Sequence, residues 1–340
     1  MAESDGASAP SPTDVLLQVM TSYVLPQALY AVTSLGVATH LVDGPKEVAE
    51  LARLTGAHPR SLARLLRALV SAGVFVEGDG AFGQTALSRC LLPGEPGSVR
   101  ASVMVAGAQN YRAWGDLLYS MKTGEPAFDH VFGSPCYDYM AANPEAAADF
   151  DASMRETGDQ QWTQVAAAYD FSRFGTLVDV GGGHGALLAA ILQHNPALHG
   201  VLFDLPGVVA GAHSYLEAHG VASRCTIVAG SFFESVPSVG DCYLLARTLL
   251  NWEVERAQLI LEQCRTAIRA GGRLVVAEPL LPPAGVSFAD AFNDLNLLVL
   301  GGGQMCTEAE IAALLQGAGF RLTAVHTTPT RLSLIEASPV

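Results

Sequence analysis

The sequence predicts an α/β protein: a doubly wound, mostly parallel sheet with helices on both faces and an antiparallel edge hairpin, preceded by a mainly helical N-terminal unit. Three observations carry this reading. From Phe171 onward, strand-like apolar runs alternate with helical stretches, the pattern of a parallel sheet covered by helices. The run Leu177-Val178-Asp179-Val180 passes into Gly181-Gly182-Gly183-His184-Gly185 and then into the apolar, helix-forming residues 186–192. A strand that enters a helix through a glycine turn is where such sheets hold nucleotides. The missing Cβ atoms admit the ligand, and the helix start supplies unpaired N–H groups. Finally, only Thr328-Pro329-Thr330 separates the last two strand-like runs, which is too short for a parallel crossover.

Composition bounds the remaining possibilities. A chain of 340 residues suits two domains or one large one, and with half its residues hydrophobic it can bury a sizeable core. A formal net charge of -14 argues against nucleic acid as a partner, because that binding leans on neutralising phosphates. Cys90, Cys136, Cys225, Cys242, Cys264 and Cys306 are scattered, with no CxxC and no zinc spacing, as reduced structural thiols are. Residues 2–12 lack the basic and apolar regions of a signal peptide, and no stretch reads as an uninterrupted membrane span. The expectation is a cytoplasmic protein with neither membrane nor nucleic acid as partner.

In chain order, residues 1–12 read as a disordered tail. Asp14 to about His40 is apolar and helical, with a break expected at Pro26. A further helical stretch covers 46–54. After His58-Pro59-Arg60-Ser61, the positions Leu62, Leu65, Leu66 and Leu69 fall on one helical face. Val74-Phe75-Val76-Glu77, the turn Gly78-Asp79-Gly80 and Ala81-Phe82-Gly83-Gln84 then form a β-hairpin. Three helices and a hairpin make a winged-helix unit. Such units bind DNA, and Arg60, Arg64 and Arg67 lie on the would-be recognition helix. Three arginines are a thin footprint in so acidic a chain, and a solvated face is the better reading.

Residues 100–165 are mostly helical and rich in aromatics, among them Trp114, Tyr137, Phe150 and Trp162. Any one of these is ordinary helix-packing core; together, beside a nucleotide-type loop, they suit the lining of an apolar pocket. Strands are expected at 176–180, 200–204, 225–229, 241–246, 272–278, 320–327 and 331–336. Helices are expected near 185–194, 207–219, 254–269 and 307–317, with Pro196 and Gly271-Gly272 as helix stops. The domains expected are 1–105, a helical connector over 106–168, and 169–340.

The glycine spacing is Asp-x-Gly-x-Gly-x-Gly rather than the dinucleotide Gly-x-Gly-x-x-Gly. Nineteen residues after Gly185, the apolar run Gly200-Val201-Leu202-Phe203 ends in Asp204, where an acid can grip ribose hydroxyls. Together with Asp204-Leu205-Pro206, the later strands and the closing hairpin, this resembles the S-adenosylmethionine-dependent small-molecule O-methyltransferases of the caffeate/hydroxyindole type. The resemblance covers nearly the whole chain. It implies a Rossmann-like methyltransferase sheet, S-adenosylmethionine as cofactor with S-adenosylhomocysteine as product, no metal, a small aromatic substrate, and a homodimer formed by the N-terminal unit. For the cofactor it points to Asp179, Gly181, Gly183, Asp204, Leu205, Ser231, Phe232, Ala246 and Arg247. For the acceptor it points to Met154, Trp162, Asn251, Asp294 and Met305, with Phe150-x-x-x-Met154 matching the family's pocket element.

The chain also departs from the pattern. Gly230-Ser231-Phe232-Phe233 matches Gly-Asp-Phe-Phe, so a serine stands where an acid usually receives the adenine amino group. The segment 246–252 matches Lys-x-x-Leu-His-Asp-Trp but carries Ala246, Leu250 and Asn251, so the histidine base is a leucine. In the match to Gly-Gly-Lys-Glu-Arg-Thr, Met305 replaces the glutamate that orients the base, whereas Glu278 retains the other family glutamate. Leu-Leu-Asn-Trp resembles the bacterial anthracycline-tailoring members, which include a methyltransferase without a histidine base and a relative that uses the cofactor in a hydroxylation.

Base-free methylation is chemically reasonable. Ionising a phenol of pKa about 10 at neutral pH costs about 4 kcal/mol, and in-line positioning supplies roughly 7–11 kcal/mol. His184 and His130 are alternative bases, although a loop histidine is usually just solvated. Asp290 and Asp294 lie four apart on a helix without the pattern of a metal site. The function expected is methyl transfer to a hydroxyl of an aromatic, polyketide-like metabolite, with Asn251 as the one catalytic candidate. The alternatives are cofactor-dependent hydroxylation, decarboxylation or a pericyclic step, and a non-catalytic, ligand-sensing winged-helix protein.

Overall fold

The computed structural model describes residues 10–340, positions 157–160 by their backbone alone. Most of the expected tail therefore lies outside the described residues, and its last residue, Pro12, begins a helix. The chain forms two compact units, residues 1–111 with 148–156, and residues 112–147 with 157–340. Residues 106–168 are thus shared between the two units.

In the first unit, helices Pro12–Thr21 and Val24–Ser34 are followed by Val37–His40, Val48–Thr55 and Pro59–Ser71. The helical break falls at Ser22-Tyr23 rather than at Pro26. Pro26 sits in the first turn of the second helix, where its missing N–H is not needed. Strands β1 (Lys46–Glu47), β2 (Phe75–Gly78) and β3 (Ala81–Gln84) form a sheet in the order β1-β3-β2. Leu62, Leu66 and Leu69 turn inward onto Phe75 and Phe82, and Leu65 is partly buried beside them. Arg60, Arg64 and Arg67 are exposed, and Arg67 pairs with Glu77 at 3.7 Å. Gly107 belongs here because a Cβ would lie 2.2 Å from that of Tyr30.

One expectation is corrected in this unit. The 23-residue segment Pro12–Ser34 is long and apolar enough, by length and composition, to cross a membrane. Gln18 and Gln27 hid this by interrupting the apolar run. Helix Pro12–Thr21 buries none of its residues.

The second unit is built on a seven-stranded sheet: β4 (Thr176–Val180), β5 (His199–Asp204), β6 (Cys225–Ala229), β7 (Cys242–Ala246), β8 (Arg273–Glu278), β9 (Phe320–Thr327) and β10 (Ser333–Pro339). Their order is β6-β5-β4-β7-β8-β10-β9. The first five strands are parallel, and β10 runs antiparallel to both β8 and β9. The hairpin stands at the edge as expected, but its reversed strand is β10, one place in from the edge. Burial explains this order: five consecutive residues of β10 are buried, whereas β9 buries only Phe320 completely.

Alternating residues feed two cores. Leu177, Leu244 and Val275 face helices Ala186–His194 and Ala212–Ala218 on one side. Val178, Tyr243 and Val276 face helices Val254–Ala267 and Glu308–Gly317 on the other. The helix expected over 207–219 is broken into Pro206–Val209 and Ala212–Ala218 at Ala210-Gly211.

Candidate active site

From β4 the chain builds β5 and β6 on one side and then returns to place β7 on the other. That reversal opens a crevice beyond the carboxyl ends of β4 and β7, the usual ligand position in such sheets. Asp179-Val180, Asp204, Ala246 and Glu278 lie at the carboxyl ends of β4, β5, β7 and β8.

The loop after β4 requires its glycines. Gly181, Gly183 and Gly185 have φ of 72°, 62° and 90°, left-handed values that side chains resist. At Gly182 a Cβ would lie 2.5 Å from Asp179 Oδ2, and at Gly183 it would meet nothing within 4 Å. The loop is packed against the protein at one glycine and open at the next.

Asp204 is fixed by two backbone donors. Gly183 N–H donates to its Oδ2 at 2.8 Å and Leu205 N–H to its Oδ1 at 2.7 Å. Asp179 is 1% exposed, and neither carboxyl oxygen has a hydrogen-bond partner among the described residues. Burial first, and the charge of Asp204 second, push its pKa up to about 7. An orphaned buried carboxyl beside an open glycine loop, with a second carboxylate held in place, fits a ligand that carries both positive charge and hydroxyl groups.

Next to the loop stands an aromatic group. Phe232, Phe233 and Trp252 meet edge to face, with Phe233 and Trp252 centroids 4.8 Å apart. Arg256 lies over Phe233 and Trp252 at 4.3 and 4.6 Å. Tyr137 stacks on Trp252 at 5.1 Å. It was read from sequence only as one connector aromatic, yet the charges of Asp204 and Arg247 both act on its hydroxyl, whose pKa burial raises. The Tyr-Asp-Tyr run 137–139 held no signal that could single it out. Ser231 Oγ accepts from Phe233 N–H at 3.3 Å.

The base position lies on the turn Leu249–Asn251. Leu250 is 7% exposed and Met305 4%. Glu278, also buried, accepts Leu250 N–H at 3.1 Å; burial pushes its pKa up to about 7 against the pull of the turn's N–H groups and Arg247. Asn251 Nδ2 donates to the Arg247 carbonyl at 2.8 Å, so the catalytic candidate also ties its own turn. Gly303, which the sequence places in the Gly-Gly-Lys-Glu-Arg-Thr match without a role of its own, presses on this turn: a Cβ there would lie 2.2 Å from the Leu250 carbonyl oxygen. Asp294 accepts Met305 N–H at 2.7 Å, and Trp114 Nε1 donates to Asn296 at 2.7 Å.

Trp162 packs against the sheet core that includes Leu187 and Leu188. Met154 belongs to the first unit. Ala246 ends β7 opposite Ala277, and Leu205 is 46% exposed. His184 meets Tyr215 edge to face at 4.6 Å, and His130 Nδ1 lies 2.6 Å from Asp116 on an exposed surface.

With this geometry in place, comparison with known proteins is decisive. Residues 114–321 match the family model described as an O-methyltransferase domain, and residues 17–94 match the O-methyltransferase dimerisation domain. The chain belongs to the O-methyltransferase family. It is 41% identical to phenazine O-methyltransferase PhzM of Lysobacter antibioticus, over 100% of both chains. It is 35% identical to aclacinomycin 10-hydroxylase RdmB of Streptomyces purpurascens, over 96% of this chain and 91% of that one. The O-methyltransferase NcsB1 from neocarzinostatin biosynthesis, solved with S-adenosylmethionine and 2-hydroxy-5-methyl naphthoic acid, superposes with a TM-score of 0.86 at 31% identity, covering 98% and 100% of the two chains. The protein is an S-adenosylmethionine-dependent O-methyltransferase. Among the described residues no acidic, histidine or cysteine group could hold a metal ion.

Proposed function

We propose that this O-methyltransferase moves the methyl group of S-adenosylmethionine to a hydroxyl of an aromatic, polyketide-like secondary metabolite, by proximity and orientation and without a histidine base. The observation that carries the proposal is the apolar pair Leu250 and Met305 beside an intact cofactor-side loop. Named relatives support the substrate class: phenazine O-methyltransferase PhzM and the naphthoic acid complex of NcsB1 concern flat aromatic molecules.

When bound, S-adenosylmethionine supplies a methyl group on a positively charged sulfur. Asp204 would hold its ribose hydroxyls, Phe232 and Ser231 its adenine, and Asp179 would answer its positive charge. Leu250 and Met305 exclude water from the acceptor, which strengthens the electrostatics of the site. The part of the Asn251 amide not used on Arg247 can orient the acceptor or a proton-carrying water. The dimerisation match supports a homodimer.

A second reading, cofactor-dependent hydroxylation, is favoured by one relative being the hydroxylase RdmB. Hydroxylated phenazines and naphthoates incubated with methyl-labelled cofactor, read by mass spectrometry, separate the two. The expected product carries one labelled methyl; a product with one added oxygen and no label overturns the proposal.

A further inference from the structure

We propose that the Asn296 amide, turned by Trp114, selects flat aromatic acceptors that carry a lone-pair atom on the ring system: a carbonyl or carboxylate oxygen, or a ring nitrogen. This rests on the methyl-transfer reading above and narrows its substrate class.

Asn296 stands on helix Phe288–Gly301, which borders the base position at two places. Asp294 accepts the Met305 N–H at 2.7 Å, and Asn293 donates Nδ2 to the Met305 sulfur at 3.4 Å. At the end of the helix, a Cβ on Gly301 would lie 3.4 Å from the Asn251 carbonyl oxygen. Helix positions four apart share a face, so Phe288, Phe292 and Asn296 form one stripe. The two rings lie 4.4 Å apart and are 78% and 48% exposed. Val299, one turn beyond Asn296, is fully buried with Ala113, Ala127 and Phe128, and Trp114 packs on that cluster. Asn296 thus marks the point where an exposed aromatic face meets buried core. An apolar face that ends in a fixed polar group is the ordinary construction of a small-molecule site.

Trp114 decides which way the amide points. Its indole Nε1–H can only donate, so at 2.7 Å it holds the amide oxygen of Asn296. The two N–H donors of the amide then face away from the indole. Turning the amide over would set N–H against N–H and lose the bond. Asn251 is fixed the other way round: its Nδ2 is spent on the Arg247 carbonyl, which leaves its oxygen to accept. The two side chains therefore offer opposite halves of an amide, Asn251 to a hydroxyl and Asn296 to a lone pair. A hydroxylated aromatic with a lone-pair atom satisfies both, with Phe292 and Phe288 beneath its rings. A hydroxylated hydrocarbon drives water from the Asn296 donors and returns nothing to them.

The test uses full-length protein saturated with S-adenosylhomocysteine and two pairs of probes that differ in the lone-pair atom. These are 1-hydroxyphenazine against 1-hydroxyanthracene, and 1-hydroxy-2-naphthoate against 1-naphthol, with dissociation constants read by fluorescence titration. The wild type should prefer the first of each pair by about 3- to 10-fold or more. Asn296→Asp keeps an oxygen for the indole but replaces the donors with a second oxygen, and it should abolish or invert the preference. Trp114→Phe keeps an aromatic ring and frees the amide to turn, so it should lower the preference while 1-hydroxyanthracene binds as to wild type. Equal wild-type affinity within both pairs overturns the proposal, and so does a preference that Asn296→Asp leaves unchanged. Phe292→Ser should weaken all four probes. Unchanged probe affinity in Phe292→Ser, with a shift to monomers in sedimentation, would assign the aromatic pair to a second copy of the chain and overturn the proposal. The expected preference with no labelled methyl on any probe would support the role of Asn296 and remove the methyl-transfer reading instead.

Discussion

Asp179 and Glu278 show how burial changes what a single carboxyl contributes. Their pKa values rise from 3.8 and 4.5 to about 7. Between those values the folded chain holds protons that the unfolded chain has released, so stability falls as pH rises. The ligand-free protein should melt at higher temperature near pH 5 than near pH 7.5, and Asp179→Asn should flatten that slope in calorimetric scans. A cationic ligand should draw the Asp179 carboxyl into its charged form. Binding near pH 6.5 should therefore release protons, seen as a buffer-dependent heat that disappears in Asp179→Asn. Asp204 acts differently, being already held by two N–H groups. Charge-assisted bonds of the kind expected from it are worth about 1.5–3 kcal/mol. Asp204→Ala should weaken S-adenosylmethionine about 10- to 100-fold with little change in melting temperature, and equal affinity would contradict the assigned role. The sequence pointed to Asp179 and Asp204 because their place at strand ends follows from local pattern. It could not point to Tyr137, whose neighbours Trp252 and Arg247 are more than a hundred residues away.

At the scale of elements, the turn Leu249–Asn251 is held by three contacts: Leu250 N–H on Glu278, the Asn251 amide on the Arg247 carbonyl, and Gly303 packed on the Leu250 carbonyl. Gly303→Ala must displace backbone, and overpacking of this kind costs about 1–3 kcal/mol. The expected result is a lower melting temperature and a large loss of methyl transfer, with cofactor affinity kept because the loop at 181–185 is untouched. Asn251→Ala frees the Arg247 backbone and should lower turnover more than Leu250→Ala does, measured as single-turnover methyl transfer from pH 5.5 to 9. A wild-type profile set by a histidine-like group near pKa 6.5, and lost on replacing His184 or His130, would sink the base-free reading. The strands were legible because each carries its own apolar run. The order of the last two was not, since both β9 and β10 read as edge candidates until burial separates them. The break at Ser22-Tyr23 was missed because Pro26 is the stronger local signal, yet it is harmless in a first turn.

For the whole molecule, the first helix is the feature most at odds with a chain standing alone. Val15, Leu16, Leu17, Val19 and Met20 are between 42% and 69% exposed, more contiguous apolar surface than a monomer usually shows. Within a homodimer this surface would be covered. Leu16→Glu combined with Val19→Glu should give monomers by sedimentation, and an unchanged dimer would place the interface elsewhere. The sheet has a comparable dependence in time. Its inner strand β10 is its last in chain order, and it brings Glu336 to Tyr169 at 2.6 Å and to Arg273 at 3.2 Å. During synthesis the crevice, the glycine loop and the methyl-transfer residues all leave the ribosome before that strand does. Until it arrives, β8 presents an unpaired edge, a template for another nascent chain. The edge of β8 is therefore the part of the sheet that stays open longest during synthesis, and crowding of polysomes on one message is when that edge is most exposed to aggregation.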